Sequence, residues 1–278
     1  MTLGPLRAPR VTVFDSGLGG LTVLAEIVKA RPDVEIVYAA DDARFPYGEM
    51  GEDELVDRVG VVVANLVEAT APDVVVIACN TASTLVLPPL RAAYPELAFV
   101  GTVPAIKPAA EASRSGLISV LATPGTVARD YTLALIRNFA AGCEVQLVGA
   151  SSLAGVAEQR LHDAPIDIEA VRREIAGCFV QKGERRTDKV VLACTHFPLL
   201  LDVLVEISPW EVDFIDPAPA IARRVDALIG PPRTGSVKPE GVAPAGFSSG
   251  RAPGPGLQKA LHRLGLAFSS ELLRPLRA

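Results

Sequence analysis

Two cysteines stand out by what precedes and follows them. Cys79 closes the apolar run Val74-Val75-Val76-Ile77-Ala78 and opens Asn80-Thr81-Ala82-Ser83. Cys194 closes Val190-Val191-Leu192-Ala193 and opens Thr195-His196-Phe197-Pro198. Continuous apolar, mostly β-branched runs of this length suit strands buried on both faces. A thiol at the end of such a strand, ahead of a polar turn, sits where open parallel sheets place their ligand chemistry. The two cysteines lie about one domain length apart, so the chain reads as two similar halves, each presenting one thiol. Two facing thiols could take a proton from one side of a carbon and return one to the opposite side.

A cysteine acts as base or nucleophile only as thiolate, and a neighbouring helix start or titrating group tunes that state. His196 stands two residues from Cys194. Asp15 ends an earlier apolar run and would come beside Cys79 in a parallel sheet, giving each thiol its own acid–base neighbour. Most free cysteines merely pack, and Cys143 and Cys178 are read that way, as are His162 and His262. Ser16, Asn80, Thr81 and Thr195 are short hydrogen-bonding residues at expected helix starts. Capping is their ordinary role; holding the carboxylate and ammonium of a small ligand is the functional one, and a capped helix start serves both. Thr123 and Thr126 could act similarly from the second half.

The elements needed to position these residues follow from periodicity. Strands are expected at 11–14, 35–40, 98–100, 118–122, 144–148 and 212–216, beside the two cysteine strands. Helices are expected from Leu21, over 52–69, from Cys79 to a stop before Pro88-Pro89, over 128–139, 167–182, 199–205, 218–229 and 257–264. Alternation of this kind is the pattern of a doubly wound α/β fold. The turn Asp15-Ser16-Gly17-Leu18-Gly19-Gly20 lacks the glycine spacing of a dinucleotide fingerprint. Residues 230–256 are dense in Pro and Gly and read as surface loop with one strand near Phe247.

The chain has 278 residues, 49% hydrophobic and 21% charged, with a formal net charge of −5. That suits a soluble globular protein with an aliphatic core. No basic stripe marks a nucleic-acid partner, and no run approaches the ~18 apolar residues of a membrane span. The first ten residues lack the apolar segment of a secretory signal, so a cytoplasmic location and free thiols are expected. The four cysteines show no Cys-x-x-Cys spacing, so no zinc site is expected.

Four motifs together carry a family resemblance: Asp15-Ser16-Gly17-Leu18-Gly19-Gly20, Pro46-Tyr47-Gly48, Ala78-Cys79-Asn80-Thr81-Ala82-Ser83 and Ala193-Cys194-Thr195-His196-Phe197-Pro198. In order and spacing, over nearly the whole chain, they resemble the cofactor-independent glutamate racemases of the aspartate/glutamate racemase superfamily. The resemblance implies two α/β domains with mostly parallel sheets, pseudo-twofold related, with the active site between them. The first would be discontinuous, 1–103 plus 213–278, and the second 104–212. It implies Cys79 and Cys194 as the acid/base thiols, with Asp15 and His196 assisting them respectively. Asp15, Ser16, Tyr47, Gly48, Asn80, Thr81, Thr123, Thr126, Thr195 and His196 would hold the substrate. The product would be D-glutamate for peptidoglycan, and a homodimer is possible. In one respect the sequence departs from the family: many members carry a glutamate shortly after the strand that here reads Gln146-Leu147-Val148-Gly149-Ala150, and no carboxylate stands there.

No cofactor is expected. None of the six lysines lies in a motif above, so no Schiff-base lysine suggests itself, and no metal cluster is read. The alternatives are a racemase of aspartate or another acidic amino acid, a non-catalytic amino-acid-binding regulator on the same scaffold, and a thiol redox protein.

Overall fold

The computed structural model describes residues 7–232 and 241–273. The chain opens with β1 (Arg10–Asp15), α1 (Gly20–Ala30), β2 (Glu35–Ala40) and α2 (Glu52–Thr70). It continues through β3 (Val74–Ile77), α3 (Asn80–Ala93), β4 (Ala98–Gly101) and α4 (Ile106–Ala112). The second half comprises β5 (Leu117–Ala122), α5 (Pro124–Val127), α6 (Asp130–Phe139), β6 (Glu144–Gly149), α7 (Leu153–Leu161) and α8 (Ile168–Ile175). A small hairpin of β7 (Gln181–Lys182) and β8 (Arg185–Arg186) precedes β9 (Lys189–Ala193), α9 (Leu201–Ile207) and β10 (Asp213–Ile215). The chain then runs through α10 (Ala218–Ile229), β11 (Ala243–Phe247), α11 (Pro255–Arg263) and β12 (Leu266–Phe268).

The strands form two parallel sheets, ordered β12-β11-β2-β1-β3-β4 and β10-β9-β5-β6. The run β2-β1-β3-β4 of the first and β6-β5-β9-β10 of the second have the same order of strand succession. The expected internal repetition is therefore present in the topology. β3 and β9 occupy equivalent places in the two halves and are buried along their whole length. Each sheet is covered on both faces. One face of the first packs on α1, α10 and α11 and the other on α2 and α3; the second lies between α7, α8 and α9 on one side and α4 and α6 on the other.

Local chemistry accounts for the main elements. Leu55, Val59, Val62, Val63 and Leu66 form the buried stripe of α2, while Glu52, Asp53 and Glu54 fill its first turn and complement the helix dipole. α5 starts with Thr123, whose side chain accepts from the Thr126 N–H, and Pro124 at its first position.

Several expectations need correction. Helix α3 does not stop before Pro88 but runs through both prolines to Ala93. The prolines lie on its exposed face, where the carbonyls they leave unpartnered, on the half-buried Thr84 and Leu85, can reach water, while Leu87 and Leu90 are buried and carry the helix across. The helix expected over 167–182 ends at Ile175, and the chain turns into the β7–β8 hairpin with Gly183 in the left-handed region. Helix α7 and strand β12 were not expected. The boundary placed at 213 falls on β10, which pairs with β9 in the second sheet, so the first element to return to the first half is α10, packed on α1. Within the Pro/Gly-rich 230–256, β11 is the strand expected near Phe247; residues 233–240 lie outside the described part. Among the described residues no helix is long and apolar enough to cross a membrane.

Candidate active site

The strand order creates a crevice at the carboxyl ends of β1 and β3, where the connections diverge to opposite faces, and an equivalent one at β5 and β9. The pairing of Phe14 with Ile77 brings Asp15 beside the Ala78-Cys79 step. In the other half Ala122 pairs with Ala193, which brings Thr123 level with Cys194. The two crevices face each other.

Contacts across the divide are polar and close. Thr81 Oγ1 lies 3.1 Å from Thr123 Oγ1 and 3.2 Å from Thr126 Oγ1. The Leu18 N–H donates to Glu158 Oε1 at 2.7 Å, and Thr22 Oγ1 donates to the Thr195 carbonyl at 3.1 Å. Gly19 is required here by space: a Cβ would stand 2.6 Å from the His196 backbone nitrogen and 2.7 Å from Thr195 Oγ1. Gly48 faces Thr123, and a Cβ on Gly125 would meet the Gly48 carbonyl at 3.0 Å.

Cys79 and Cys194 are 5% and 7% exposed, so the site is closed around them. Their surroundings differ. Ser16 Oγ lies 3.5 Å from Cys79 Sγ. Burial first, then the charge of Asp15, pushes the Cys79 thiol up to about 12, against the hydrogen bond from Ser16. The charge of Cys194 also acts on it, as expected of two groups facing one space. Cys79 therefore rests as a thiol, a proton donor. Asp15 is fully buried; its Oδ2 accepts from the Gly20 N–H at 2.7 Å, and its Oδ1 has no partner among the described residues. Burial raises its carboxyl, opposed by the charge of His196 and by the N–H groups of Gly20 and Ser16.

Cys194 Sγ lies 3.9 Å from His196 Nδ1, and His196 Nε2 lies 2.8 Å from Glu158 Oε1. The Gly19 N–H also points at Nε2, at 3.1 Å. That contact is attractive only if Nε2 is bare, whereas a carboxylate at 2.8 Å requires Nε2 to carry a proton. The shorter, charge-assisted contact decides for the protonated nitrogen. Burial alone would lower the imidazole, but its bonds to Cys194 and Glu158 and the charges of Cys194 and Asp15 raise it well above the usual histidine range. His196 Nδ1 thus faces the Cys194 sulfur, where it can give or take a proton.

Asn80 follows Cys79 at the start of α3 and is 2% exposed, yet among the described residues neither its amide oxygen nor its amide nitrogen has a partner. Buried amides are normally bonded, so this one, like Asp15 Oδ1, is free to meet a polar ligand. The Tyr47 hydroxyl is already committed: it donates to Asp41 Oδ2 at 2.6 Å, and Arg58 grips the same carboxylate at 2.8 and 2.6 Å. What Tyr47 brings to the site is the placement of its loop and of Gly48.

The sequence profile of the Asp/Glu/hydantoin racemases matches residues 16–225. The chain belongs to that family. It is an amino-acid racemase. It is 49% identical over 267 residues, 96% of this chain and 95% of the other, to a glutamate racemase of Brucella ovis. It is 56% identical over 223 residues, 80% of each chain, to a glutamate racemase of Brucella anthropi. Among solved structures, the Escherichia coli glutamate racemase in complex with L-glutamate and the activator UDP-MurNAc-ala superposes with a TM-score of 0.83 at 38% identity, covering 94% of this chain and 97% of that one.

In this racemase Asp15, Ser16, Cys79, Asn80 and Thr81 follow or end strands of the first sheet, and Thr123, Thr126, Cys194, Thr195 and His196 follow strands of the second. Glu158 was missed. Gln146–Ala150 holds no carboxylate, but α7, which begins three residues later, swings Glu158 back onto His196. The signal was there in principle, as an apolar pattern through Leu153, Ala154, Ala157 and Leu161 with a single acid between. Asp41 and Arg58 were missed because an acid in a turn and an arginine on an amphipathic helix read as solvated; in the fold Asp41 is fully buried.

Proposed function

We propose that the protein interconverts L- and D-glutamate by a two-thiol acid–base mechanism, in which the α-proton is removed on one face and replaced on the other. The observation that carries this reading is the presence of two buried thiols at equivalent strand ends, facing one closed site, one beside Ser16 and the other beside His196. Cys79 is held as a thiol, and Cys194 is paired with His196. For one enantiomer, the Cys194 thiolate takes the α-proton while Cys79 delivers its own to the opposite face. The thiol and thiolate have then exchanged roles, and the reverse direction starts from that state. His196, held by Glu158, stabilises the Cys194 thiolate or takes up its proton. Asp15 and Ser16 serve Cys79.

The carbanion formed between the thiols needs preorganised donors. The Asn80 amide and the threonine hydroxyls of Thr81, Thr123, Thr126 and Thr195 would hold the substrate's carboxylates. Glutamate rather than aspartate is supported by the three relatives named above, each a glutamate racemase. On this reading the chain works in the cytoplasm and supplies D-glutamate for peptidoglycan. The sheet memberships support two domains, the first returning after β10.

The test is a proton NMR time course of reduced protein in deuterated water with no added cofactor. L-Glutamate should lose its α-proton signal and yield the D-isomer, and L-aspartate in a parallel tube should not. Turnover of aspartate alone would overturn the substrate. Absence of exchange in both tubes would favour a binding protein on a racemase scaffold.

A further inference from the structure

We propose that Phe45 is a positioning residue for the second thiol's acid–base pair, its ring capping the His196 imidazole across the cleft and keeping water from it. This rests on the two-thiol reading above.

Phe45 lies in the loop after β2, on the first half of the chain. That loop is fastened to the C-terminal return: Asp42 accepts from the Ser249 N–H at 2.9 Å and from Ser249 Oγ at 2.5 Å, and Ser248 Oγ accepts from the Ala43 N–H at 3.1 Å. From this anchored base the ring reaches over the divide and joins the apolar cluster of the other half, around Leu153 and Phe197. Its centroid stands 5.2 Å from that of the His196 ring, tilted by 40°.

Gly17 shows how tightly this corner is filled. A Cβ there would stand 2.5 Å from Glu158 Oε1, 2.8 Å from Phe45 Cδ2 and 3.1 Å from His196 Nε2. Phe45, Glu158 and His196 thus converge on one bare backbone position. The charged and titratable groups around the imidazole are Glu158 from α7, Cys194 at the end of β9 and Asp15 at the end of β1. Phe45 supplies an apolar wall among these polar neighbours. Excluding water there strengthens the Cys194–His196–Glu158 interactions and fixes the ring plane, both of which proton transfer through Cys194 requires. The contacts of Phe45 with His196 and Gly17 fall on the Cys194 side, so its influence should be one-sided.

The one-sidedness makes the inference testable. A racemase has an equilibrium constant of unity, so any variant lowers kcat/KM equally for both enantiomers. The size of the fall therefore does not report which thiol is affected. Primary isotope effects do. Wild type, Phe45→Ala and Phe45→Leu would be assayed with α-deuterated L- and D-glutamate, with Phe139→Ala, an exposed ring on α6, as control. We expect Phe45→Ala to lower kcat/KM by about tenfold or more, a modest share of what a positioned acid–base group supplies. The isotope effect should rise with one enantiomer and fall with the other, in the sense given by His196→Asn and opposite to Ser16→Ala. Phe45→Leu, which keeps apolar cover without a flat face, should show a smaller shift of the same sense and carries the test if the alanine variant does not fold. Phe139→Ala should match wild type. Isotope effects that stay unchanged, or move alike with both enantiomers, would show Phe45 to be core packing only and would overturn the inference while leaving the racemase reading intact. A wild-type protein that fails to racemise glutamate would instead overturn the reading beneath it.

Discussion

At the scale of single residues, the two thiols are alike in sequence and unlike in setting. Cys79 sits beside the Ser16 hydroxyl and within reach of the Asp15 charge, Cys194 beside an imidazole braced by Glu158. That Asp15 and His196 lie near the thiols was legible because each adjoins a strand end, where sequence distance translates directly into space. The helix carrying Glu158 left only a weak apolar pattern, and its partners were not legible, since Leu18 and His196 lie far away in sequence and only the tertiary fold joins them. Asn80 offers a residue-level prediction. Its side-chain amide makes no bond among the described residues, so Asn80→Ala gives up no hydrogen bond there, and stability measured by urea unfolding should change by less than about 1 kcal/mol. Bonds to a charged ligand contribute about 1.5–3 kcal/mol each, so the same variant should raise the KM for glutamate by about tenfold or more.

At the scale of elements, the loop after β2 is held from below. Arg58 on α2 grips Asp41 with two bonds, and Asp41 in turn takes the Tyr47 hydroxyl. The hydrogen bonds from Arg58, Ser248 and Tyr47 hold the Asp41 carboxyl below the usual range even though burial alone would raise it. Arg58→Ala would leave a buried carboxylate without its cation, a loss of about 3–5 kcal/mol, read as a lower urea midpoint together with a fall in kcat/KM as the Tyr47–Gly48 loop loosens. Arg58→Lys keeps the charge but not the two-pronged geometry and should fall between. The sequence carried α2 well, because its apolar stripe is regular and its first turn is acidic. It misled at α3, where Pro88-Pro89 announces a stop that the burial of Leu87 and Leu90 overrides. It was silent at α7, whose small residues give a weak apolar pattern.

At the scale of the whole molecule, a repeated strand order places one thiol at each of two equivalent positions, and the divide between them is closed by hydroxyls, backbone and glycine contacts. The repetition was visible as two Ala-Cys strand ends, but the mutual fit at Gly17, Gly19 and Gly125 was not, because close approach depends on both halves at once. Closure also has a consequence for alkaline stability. Burial pushes both Cys79 and Cys178 up to about 12 from an ordinary 9.0. Their raised values favour the uncharged thiol in the fold, so this contribution is complete below about pH 9 and is lost as pH rises towards about 12. Urea unfolding at a series of alkaline pH values should show stability falling through that window, and Cys178→Ala should flatten the fall without touching turnover.

The central claim is that Cys79 and Cys194 act on opposite faces of one carbon. It is tested most directly by α-proton exchange in deuterated water, followed by NMR, for Cys79→Ala and Cys194→Ala with each pure enantiomer of glutamate. A single remaining thiol can take and return a proton only on its own face. The account predicts that neither variant racemises, that residual exchange is confined to one enantiomer, and that the enantiomer differs between the two variants. Racemisation by either variant, or exchange of the same enantiomer by both, would contradict it.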